Sequence, residues 1–263
     1  MIPLLDKPVI QYSVEEAVDS GLTLIIIVTS AGKRSIEDYF DRSSDIEAML
    51  TAKGDTARLA EIQRLHTMAD FVYVRQAHQN GLGDAVRTAR AAVHDEPFVL
   101  YLPDDIILGD PSPTQELMTA YEKYGASVIA VESVDPRETG SYGIVAGEAL
   151  DERTTRLRTL VEKPDPEVAP SNLGIVGRYL LTPSVFDAIG STTAGWGGEI
   201  QITDALQRMA DNEGMYAYRF TGRRFDTGRP LGLLKASIAV GLEREDIAPG
   251  LAEYLRGLKL PEA

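Results

Sequence analysis

Two adjacent carboxylates, Asp104 and Asp105, follow the apolar run 98–102 and Pro103. Carboxylates at the end of a strand can hold Mg²⁺, which takes one or two protein carboxylates and fills its octahedron with water and phosphate oxygens. The alternative is a solvated turn or a helix cap, since Asp is common in both. The position directly after a strand favours the interpretation as a metal site, and the turn remains an alternative interpretation.

A glutamine and two glycines form a second candidate. Gln76 follows the predicted strand 71–74, and Gly81-Leu82-Gly83 follows at the expected start of a helix. Glycine lets the backbone approach a ligand closely, and a helix start offers unpaired N–H groups to an anion. The amide of Gln76 is suited to the edge of a nucleic-acid base. A simple turn explains the glycines equally well.

The third candidate is the segment Val161-Glu162-Lys163-Pro164. Lys163 is a point charge suited to a phosphate. Adjacent side chains of an extended strand face opposite sides, so Glu162 and Lys163 can serve one ligand only if the chain bends. Pro164 favours such a bend because it restricts the residue before it. The alternative is an exposed ion pair.

Two later segments, 197–204 and 225–230, also combine glycine with acidic residues. Glu199 follows Gly197-Gly198 and precedes an amphipathic helix, so it is a candidate to reach a sugar hydroxyl. Asp226 is a candidate second metal carboxylate. Loops and helix caps are the alternative interpretation of both segments.

The elements that must position these residues alternate between strand and helix. Through residue 131 the patterns predict strands at 24–28, 71–74, 98–102 and 127–131, with helices at 9–21, 56–68, 82–93 and 114–124. This alternation is typical of an α/β fold with a mixed, mostly parallel sheet flanked by helices. Ligands of such sheets bind beyond the carboxyl ends of the strands, where Gln76 and Asp104 lie.

Composition excludes several classes of protein. The 263 residues carry 40 acidic and 26 basic side chains, a net charge of −14 that argues against nucleic-acid partners and anionic membrane surfaces. There are no cysteines, which excludes disulfides and thiolate metal sites and is compatible with the cytoplasm. We expect no membrane span and no secretory leader.

The order of the motifs carries more information than any one of them. In chain order they are Asp6-Lys7-Pro8-Val9-Ile10-Gln11-Tyr12, Gln76 with Gly81-Leu82-Gly83, Leu102-Pro103-Asp104-Asp105, Ser141-Tyr142-Gly143-Ile144-Val145, Val161-Glu162-Lys163-Pro164, Ala169-Pro170-Ser171-Asn172-Leu173 with Val176-Gly177-Arg178-Tyr179, and Gly197-Gly198-Glu199-Ile200-Gln201-Ile202-Thr203-Asp204. The set resembles bacterial UTP–glucose-1-phosphate uridylyltransferases, within the sugar nucleotidyltransferases, over nearly the whole chain.

The resemblance implies a Rossmann-like nucleotidyltransferase fold. It also implies the reaction of UTP with glucose 1-phosphate to give UDP-glucose and diphosphate. It assigns Gln76, Gly81 and Asp105 to the nucleotide. Asp104 would hold Mg²⁺, the expected cofactor, with Asp226 as a second carboxylate.

For the sugar, the resemblance assigns Gly143, Glu162 and Glu199 to the glucose of glucose 1-phosphate. Lys163 would contact the sugar phosphate and, with Asp104, act in catalysis. The family is commonly a homo-oligomer, so a dimer or tetramer is expected.

The chain departs from the family pattern in two places. The family's first strand and its glycine-rich loop, G-x-G-T-R, do not occur in residues 1–263. We therefore expect either a longer native protein or a short form with little transferase activity. Asp84 also stands where the family usually has His after Gly-Leu-Gly.

Two other functions compete with the uridylyltransferase. One is glucose-1-phosphate thymidylyltransferase, which segments 197–204 and 169–172 disfavour. The other is a non-catalytic sugar-nucleotide-binding paralogue, which the departure at the first strand favours and the retained acidic and lysine positions disfavour. We predict one domain, with a nucleotide half at 1–131, a sugar half at 132–228 and closing helices at 229–263.

Overall fold

The structure is a computed structural model that describes residues 1–193 and 195–259. The described residues form eleven α-helices, which pack against the sheets or against one another. They are α1 (Val9–Asp19), α2 (Arg34–Phe40), α3 (Ser44–Lys53), α4 (Thr56–Thr67), α5 (Leu82–Thr88), α6 (Arg90–Val93), α7 (Pro113–Tyr124), α8 (Ser184–Gly190), α9 (Ile202–Asn212), α10 (Pro230–Glu243) and α11 (Ala248–Gly257).

The strands are shorter than the helices and more dispersed along the chain. They are β1 (Pro3–Leu4), β2 (Lys7–Pro8), β3 (Leu24–Thr29), β4 (Asp70–Arg75), β5 (Phe98–Tyr101), β6 (Asp105–Leu108), β7 (Val128–Ser133), β8 (Gly143–Ala149), β9 (Thr154–Glu162), β10 (Leu173–Leu181), β11 (Tyr216–Arg219) and β12 (Arg223–Asp226). Short 3₁₀ helices lie at Pro136–Ser141 and Trp196–Gly198.

The main sheet has six strands in the order β5-β10-β7-β11-β9-β8. It has an apolar core on each face, because β10 and the first four residues of β7 are buried and their side chains alternate between two clusters. The pair β3 and β4 forms a separate parallel sheet, packed on α1 and α2 through Val14, Ile27 and Phe40. In the described residues, β3 and β5 each have a single pairing partner.

The expectation of a mostly parallel sheet needs correction. Of the nine strand pairings described within 1–193 and 195–259, two are parallel, β3–β4 and β7–β11. The reason is β10, a strand that follows the β8–β9 hairpin and inserts antiparallel between β5 and β7. A uniformly buried strand has the same apolar pattern in either direction, so the sequence does not indicate its orientation.

Two short strands that the sequence analysis did not predict bring distant carboxylates together. β6 pairs antiparallel with β12, and the register places Asp226 opposite Asp105. Both strands have four residues, which is too short for a clear period-2 pattern. Their pairing brings together residues that are more than a hundred positions apart in the sequence, such as Asp105 and Asp226.

A buried ion pair joins the N-terminal helix to the main sheet. Arg178 on β10 is 1% exposed and donates to both carboxylate oxygens of Glu16 on α1, at 2.7–3.1 Å. Its guanidinium also donates to the carbonyl oxygens of Gly177 and Asp105. Arg178 therefore holds the start of β6, where the Asp-Asp segment lies.

No helix in the described part of the chain combines the length and apolar character that a membrane crossing requires.

Candidate active site

An acidic cavity of about 210 Å³ opens at the rim of the main sheet. It contains five of the residues that the sequence analysis predicts for a site: Asp104, Asp105, Gly143, Glu162 and Asp226. Other lining residues come from β10, β12 and α9 and from the positions directly before β8, α9 and α10, among them Tyr142, Gly177, Tyr179, Gln201, Thr203, Arg224 and Arg229. The carboxylates that are far apart in the sequence therefore meet in one cavity.

The carboxylates of Asp104 and Asp226 converge on Gly228. A Cβ at Gly228 would lie 3.2 Å from Asp104 Oδ2 and 3.1 Å from Asp226 Oδ1, so both oxygens are close to one point. Thr227 fixes this turn, because its N–H and its hydroxyl both donate to the carbonyl oxygen of Asp104, at 2.8 and 2.7 Å. The glycine leaves the space between the two carboxylates open.

The acid–base behaviour of Asp104 reflects this crowding. Although the residue lies on the exposed rim, desolvation of its carboxyl group raises the pKa of Asp104, and the negative charges of Asp105 and Asp226 raise it further. A bound cation would relieve this repulsion.

The residues present fit a divalent cation held by two carboxylates. Within the described ranges, no group of three or more His, Cys, Asp or Glu side chains is arranged to hold a metal ion. Mg²⁺ suits such a sparse donor set, because it usually keeps several waters and takes further oxygens from phosphates. Asp104 and Asp226, with the open position at Gly228, are the candidate ligands.

Asp105 has a different environment from its neighbour. It is 5% exposed, and its two oxygens accept from Arg224 Nε at 2.6 Å and from the N–H of Gly177 at 2.8 Å. Arg224 also donates to Glu132 at 2.6 Å. Asp105 therefore holds β10 and β12 together at the cavity wall, and both of its oxygens have protein partners.

The bend required at Glu162 and Lys163 is present. Lys163 has a φ of 46°, in the left-handed region, so the chain leaves the extended conformation directly after β9. Its Nζ lies 3.7 Å from Glu162 Oε1. A left-handed conformation costs a non-glycine residue about 1–3 kcal/mol and tends to occur at functional sites.

Thr203, at the start of α9, orients Glu162. Its hydroxyl donates to Glu162 Oε2 at 2.6 Å. A Cβ at Gly143 would lie 3.2 Å from Thr203 Oγ1 and 3.3 Å from Glu162 Oε2, so glycine at 143 leaves space beside this carboxylate. The arrangement presents a fixed acceptor to a polar ligand in the acidic cavity.

An amide cavity of about 340 Å³ adjoins the acidic cavity and shares Leu82 with it. It is lined by the ends of β3 and β4 and by the start of α5, namely Val28, Thr29, Ser30, Lys33, Gln76, Gln79, Gly81, Leu82 and Ala85, together with Glu199. Gln76 and Gly81 thus lie together at this cavity. Glu199 lies with them and not with Gly143 and Glu162.

The two glycines of Gly81-Leu82-Gly83 accommodate the chain itself. A Cβ at Gly81 would lie 2.8 Å from Glu199 Cβ, and one at Gly83 would lie 2.8 Å from the carbonyl oxygen of Ile200. The N–H of Gly83 donates to Ile200, and the N–H of Ile200 donates to Asn80. This contact places Glu199 at the edge of the amide cavity.

A buried carboxylate fixes Gln76 in the amide cavity. Gln76 Nε2 donates to Asp84 Oδ2 at 2.8 Å, and Arg87 donates to Asp84 Oδ1 at 2.6 Å. The hydrogen bond from Gln76 lowers the pKa of Asp84, and Arg87 lowers it further against the opposing effect of burial. Asp84 is therefore an acceptor on both sides.

The structure adds polar residues that the sequence analysis did not assign to a site. Arg224 and Thr203 line the acidic cavity, and Lys33 lines the amide cavity. Lys33 lies in the loop that follows β3, on the side of the sheet where Gln76 follows β4. Arg224 had no signal in the sequence, because β12 was not predicted.

A family model described as nucleotidyl transferase matches residues 1–241. The chain belongs to the nucleotidyl transferase family. This confirms the resemblance and the α/β nucleotidyltransferase fold class inferred from the motifs. Dependence on a metal is typical of the family.

Individual relatives of the family cover most of the chain. A UTP–glucose-1-phosphate uridylyltransferase 2 of Staphylococcus saprophyticus is 45% identical over 260 residues, 99% of this chain and 90% of the relative. A UTP–glucose-1-phosphate uridylyltransferase of Pseudomonas aeruginosa is 46% identical over 240 residues, 90% of this chain and 86% of the relative.

Solved structures of the family share the fold. A UDP-glucose pyrophosphorylase in complex with UDP-glucose is 40% identical, with a TM-score of 0.85 over 93% of this chain and 90% of that chain. A UTP-bound enzyme of the same kind from Acinetobacter baumannii is 35% identical, with a TM-score of 0.90 over 98% of this chain and 91% of that chain.

Proposed function

We propose that the chain transfers a uridylyl group from UTP to glucose 1-phosphate, with UDP-glucose and diphosphate as products. The observation that carries this function is the adjacency of the two cavities. One contains a carboxylate pair and Glu162, whose Oε1 lies 3.7 Å from the Nζ of Lys163, and the other is lined by Gln76. Relatives named for the same reaction cover nearly the whole chain.

The nucleotide would occupy the amide cavity. Gln76 would contact the base through its amide, and Gly81, which packs against Glu199 and Ile200, would border the base at the start of α5. Asp105 would contribute indirectly, because its carboxylate holds Arg224 and β10 at the wall between base and phosphates.

Glucose 1-phosphate would occupy the acidic cavity. Glu162, oriented by Thr203, would accept hydrogen bonds from sugar hydroxyls, and Gly143 would leave the space for them. Lys163 would pair with the sugar phosphate. Glu199, which lines the amide cavity, would contact the glucose from the side of the nucleotide.

Asp104 and Asp226 would hold Mg²⁺ at the opening beside Gly228. When bound, the cation neutralises negative charge that develops on the phosphates. The two aspartates would remain ionised ligands, and Thr227 would keep Asp104 in place through its two hydrogen bonds.

The reaction needs no protein nucleophile. A phosphate oxygen of glucose 1-phosphate forms a bond to the α-phosphorus of UTP, and the bond from that phosphorus to the bridging oxygen of the β-phosphate breaks. Diphosphate leaves with the electron pair. The protein contributes position and charge, because the substrates must align in line while their like charges are neutralised.

Turnover of UTP with glucose 1-phosphate and Mg²⁺ tests the proposal. We expect UDP-glucose and diphosphate in equal amounts, with a higher kcat/KM for UTP than for dTTP. In Lys163→Ala, loss of a charge-assisted contact should raise the KM for glucose 1-phosphate roughly tenfold and change the KM for UTP little. Chromatography of the products and a coupled diphosphate assay measure both quantities.

The exposed Lys235 on α10 provides a charge-matched control, and Lys235→Ala should leave both KM values unchanged. A kcat/KM for dTTP above that for UTP would identify a thymidylyltransferase. Binding of UDP-glucose without turnover would identify a non-catalytic paralogue.

A further inference from the structure

The amide of Gln76 is constrained by the groups around it. Within residues 1–193 and 195–259, the side-chain hydrogen bond described for Gln76 runs from Nε2 to Asp84 Oδ2, at 2.8 Å. An ionised carboxylate has no donor, so the NH₂ end of an amide must face it. Oε1 is then the end directed away from Asp84.

Asp84 cannot become a hydrogen-bond donor to Gln76 in this environment. It is 6% exposed, and its other oxygen accepts from Arg87 at 2.6 Å. It also lies in the first turn of α5, where the helix dipole favours a negative charge. Burial, the arginine and the helix start therefore keep Asp84 in its acceptor form.

We propose that Asp84 is a positioning residue that selects the base, by fixing the Gln76 amide so that its oxygen faces the amide cavity. This inference rests on the proposed function, since it assumes that a nucleotide base enters that cavity. An acceptor there matches the N3–H of uracil or thymine. Cytosine carries a lone pair at N3 and is rejected, because two acceptors face each other.

Without this constraint, Gln76 would serve either base. A free glutamine amide rotates by half a turn and presents NH₂ instead of oxygen. The carboxylate at 84 removes that choice. The constraint leaves uracil and thymine equally acceptable at N3, so discrimination between UTP and dTTP must come from other contacts.

Asp84→Asn tests the inference sharply, because Arg87 determines which way the new amide points. Arg87 needs an acceptor, so the Asn oxygen should face Arg87 and the Asn NH₂ should face Gln76. Gln76 must then turn its own oxygen toward residue 84 and its NH₂ toward the cavity. The cavity then presents a donor in place of an acceptor, which favours the N3 lone pair of cytosine over the N3–H of uracil.

The experiment is isothermal titration calorimetry of the full chain with UTP, dTTP and CTP in the presence of Mg²⁺. We expect Asp84→Asn to lower the ratio of CTP Kd to UTP Kd by roughly tenfold to a hundredfold, the scale of a hydrogen bond replaced by an unsatisfied polar pair. The ratio of dTTP Kd to UTP Kd should stay at the wild-type value.

Arg87→Met is the matched control. It removes the other partner of Asp84 but leaves the carboxylate an acceptor, so the CTP to UTP ratio should be unchanged. In the double variant Asp84→Asn with Arg87→Met, the decrease in the ratio of CTP Kd to UTP Kd should be smaller, because the Asn amide is free to turn.

A purely structural role of Asp84 predicts something else. In that case Asp84→Asn weakens the binding of all three nucleotides by the same factor and leaves both Kd ratios at their wild-type values. That result would overturn the inference. UTP binding by the wild-type chain would still support the proposed function. A wild-type chain that binds none of the three would overturn the proposed function and this inference with it.

Discussion

At the scale of single residues, two adjacent aspartates with the same chemistry have separate tasks. Asp105 is buried and has both oxygens paired, whereas Asp104 lies at the rim, opposite Asp226 across the open position of Gly228. The difference follows from their positions, because Asp104 lies in the turn before β6 and Asp105 is the first residue of that strand. The buried aspartate stabilises the wall, and the outer one remains available to a cation.

The raised pKa of Asp104 makes the metal-free protein sensitive to pH. The folded state binds a proton on Asp104 more tightly than the unfolded state does. This group's contribution to stability is therefore present at low pH and declines as pH rises from near 3.8 through the raised folded pKa. Mg²⁺ should offset that decline.

Asp104→Asn should accordingly separate activity from stability. Turnover with Mg²⁺ should fall roughly a hundredfold or more, the scale of lost metal-assisted charge neutralisation. Without Mg²⁺ at pH 7, the variant should unfold at a temperature equal to or above that of wild type, because repulsion among the carboxylates is reduced. Calorimetric unfolding at pH 5 and pH 7, with and without Mg²⁺, measures the stability effect.

The exposed Asp95, outside both cavities, serves as control for the change of charge, and Asp95→Asn should alter neither quantity. Full activity of Asp104→Asn would place the metal site elsewhere.

At the scale of elements, the boundary between the cavities depends on a contact between two loops. Asn80 before α5 and Gly83 in its first turn exchange backbone hydrogen bonds with Ile200, in the segment before α9. Gly81 has a φ of 98°, and a side chain there would contact Glu199. The glycine motif therefore serves the approach of two chain segments, in addition to any approach of a ligand.

Gly81→Ala should be destabilising for two reasons that a pair of controls separates. Both the left-handed backbone and the 2.8 Å contacts disfavour a Cβ at this position. We expect a loss of about 2–4 kcal/mol in the free energy of unfolding, measured by urea denaturation, and weaker binding of UTP. The loss should exceed that of either control.

Gly21→Ala isolates the backbone effect, because Gly21 has a φ of 89° and nothing within 4 Å of a Cβ. Gly83→Ala isolates the contact with Ile200, since Gly83 does not have a positive φ. Equal losses in Gly81→Ala and Gly21→Ala would show that the contact with Glu199 and Ile200 costs nothing.

At the scale of the whole molecule, the pair of Arg178 and Glu16 connects the N-terminal helix, the main sheet and α7. Thr114 on α7 donates to Glu16 Oε1 at 2.7 Å, and the Arg178 guanidinium lies 4.6 Å from the centre of the Tyr101 ring. Because Arg178 also holds the carbonyl of Asp105, the same network supports the acidic cavity.

Arg178→Met should be among the most destabilising single changes in the described residues. It leaves the Glu16 carboxylate buried without its cation, which costs about 3–5 kcal/mol. The double variant Glu16→Gln with Arg178→Met should recover part of that loss, because no uncompensated charge remains. Urea denaturation of the single and double variants gives the coupling energy.

The surface pair Arg223 and Glu243 provides the control, since both side chains are more than half exposed. Arg223→Met should cost no more than about 1 kcal/mol. A comparable cost at the two sites would contradict the assignment of Arg178 as the link between layers.

The sequence by itself determined the fold class and most residues of the candidate site, because both depend on local patterns. Apolar strands alternate with amphipathic helices, and Gln76, Asp104 and Lys163 each follow a strand. A bend after Glu162 was expected from Pro164, but the left-handed φ of 46° at Lys163 was not predictable, because a residue before proline favours the extended region.

Only the tertiary structure decided which of these residues meet. The direction of β10, the pairing of β6 with β12 and the placement of Glu199 beside Gln76 all depend on contacts between segments far apart in the chain. A strand's residue pattern specifies which face is buried but not its neighbour or its direction, and a short strand specifies even less. For that reason Arg224 and the orientation of the Gln76 amide by Asp84 became visible only in three dimensions.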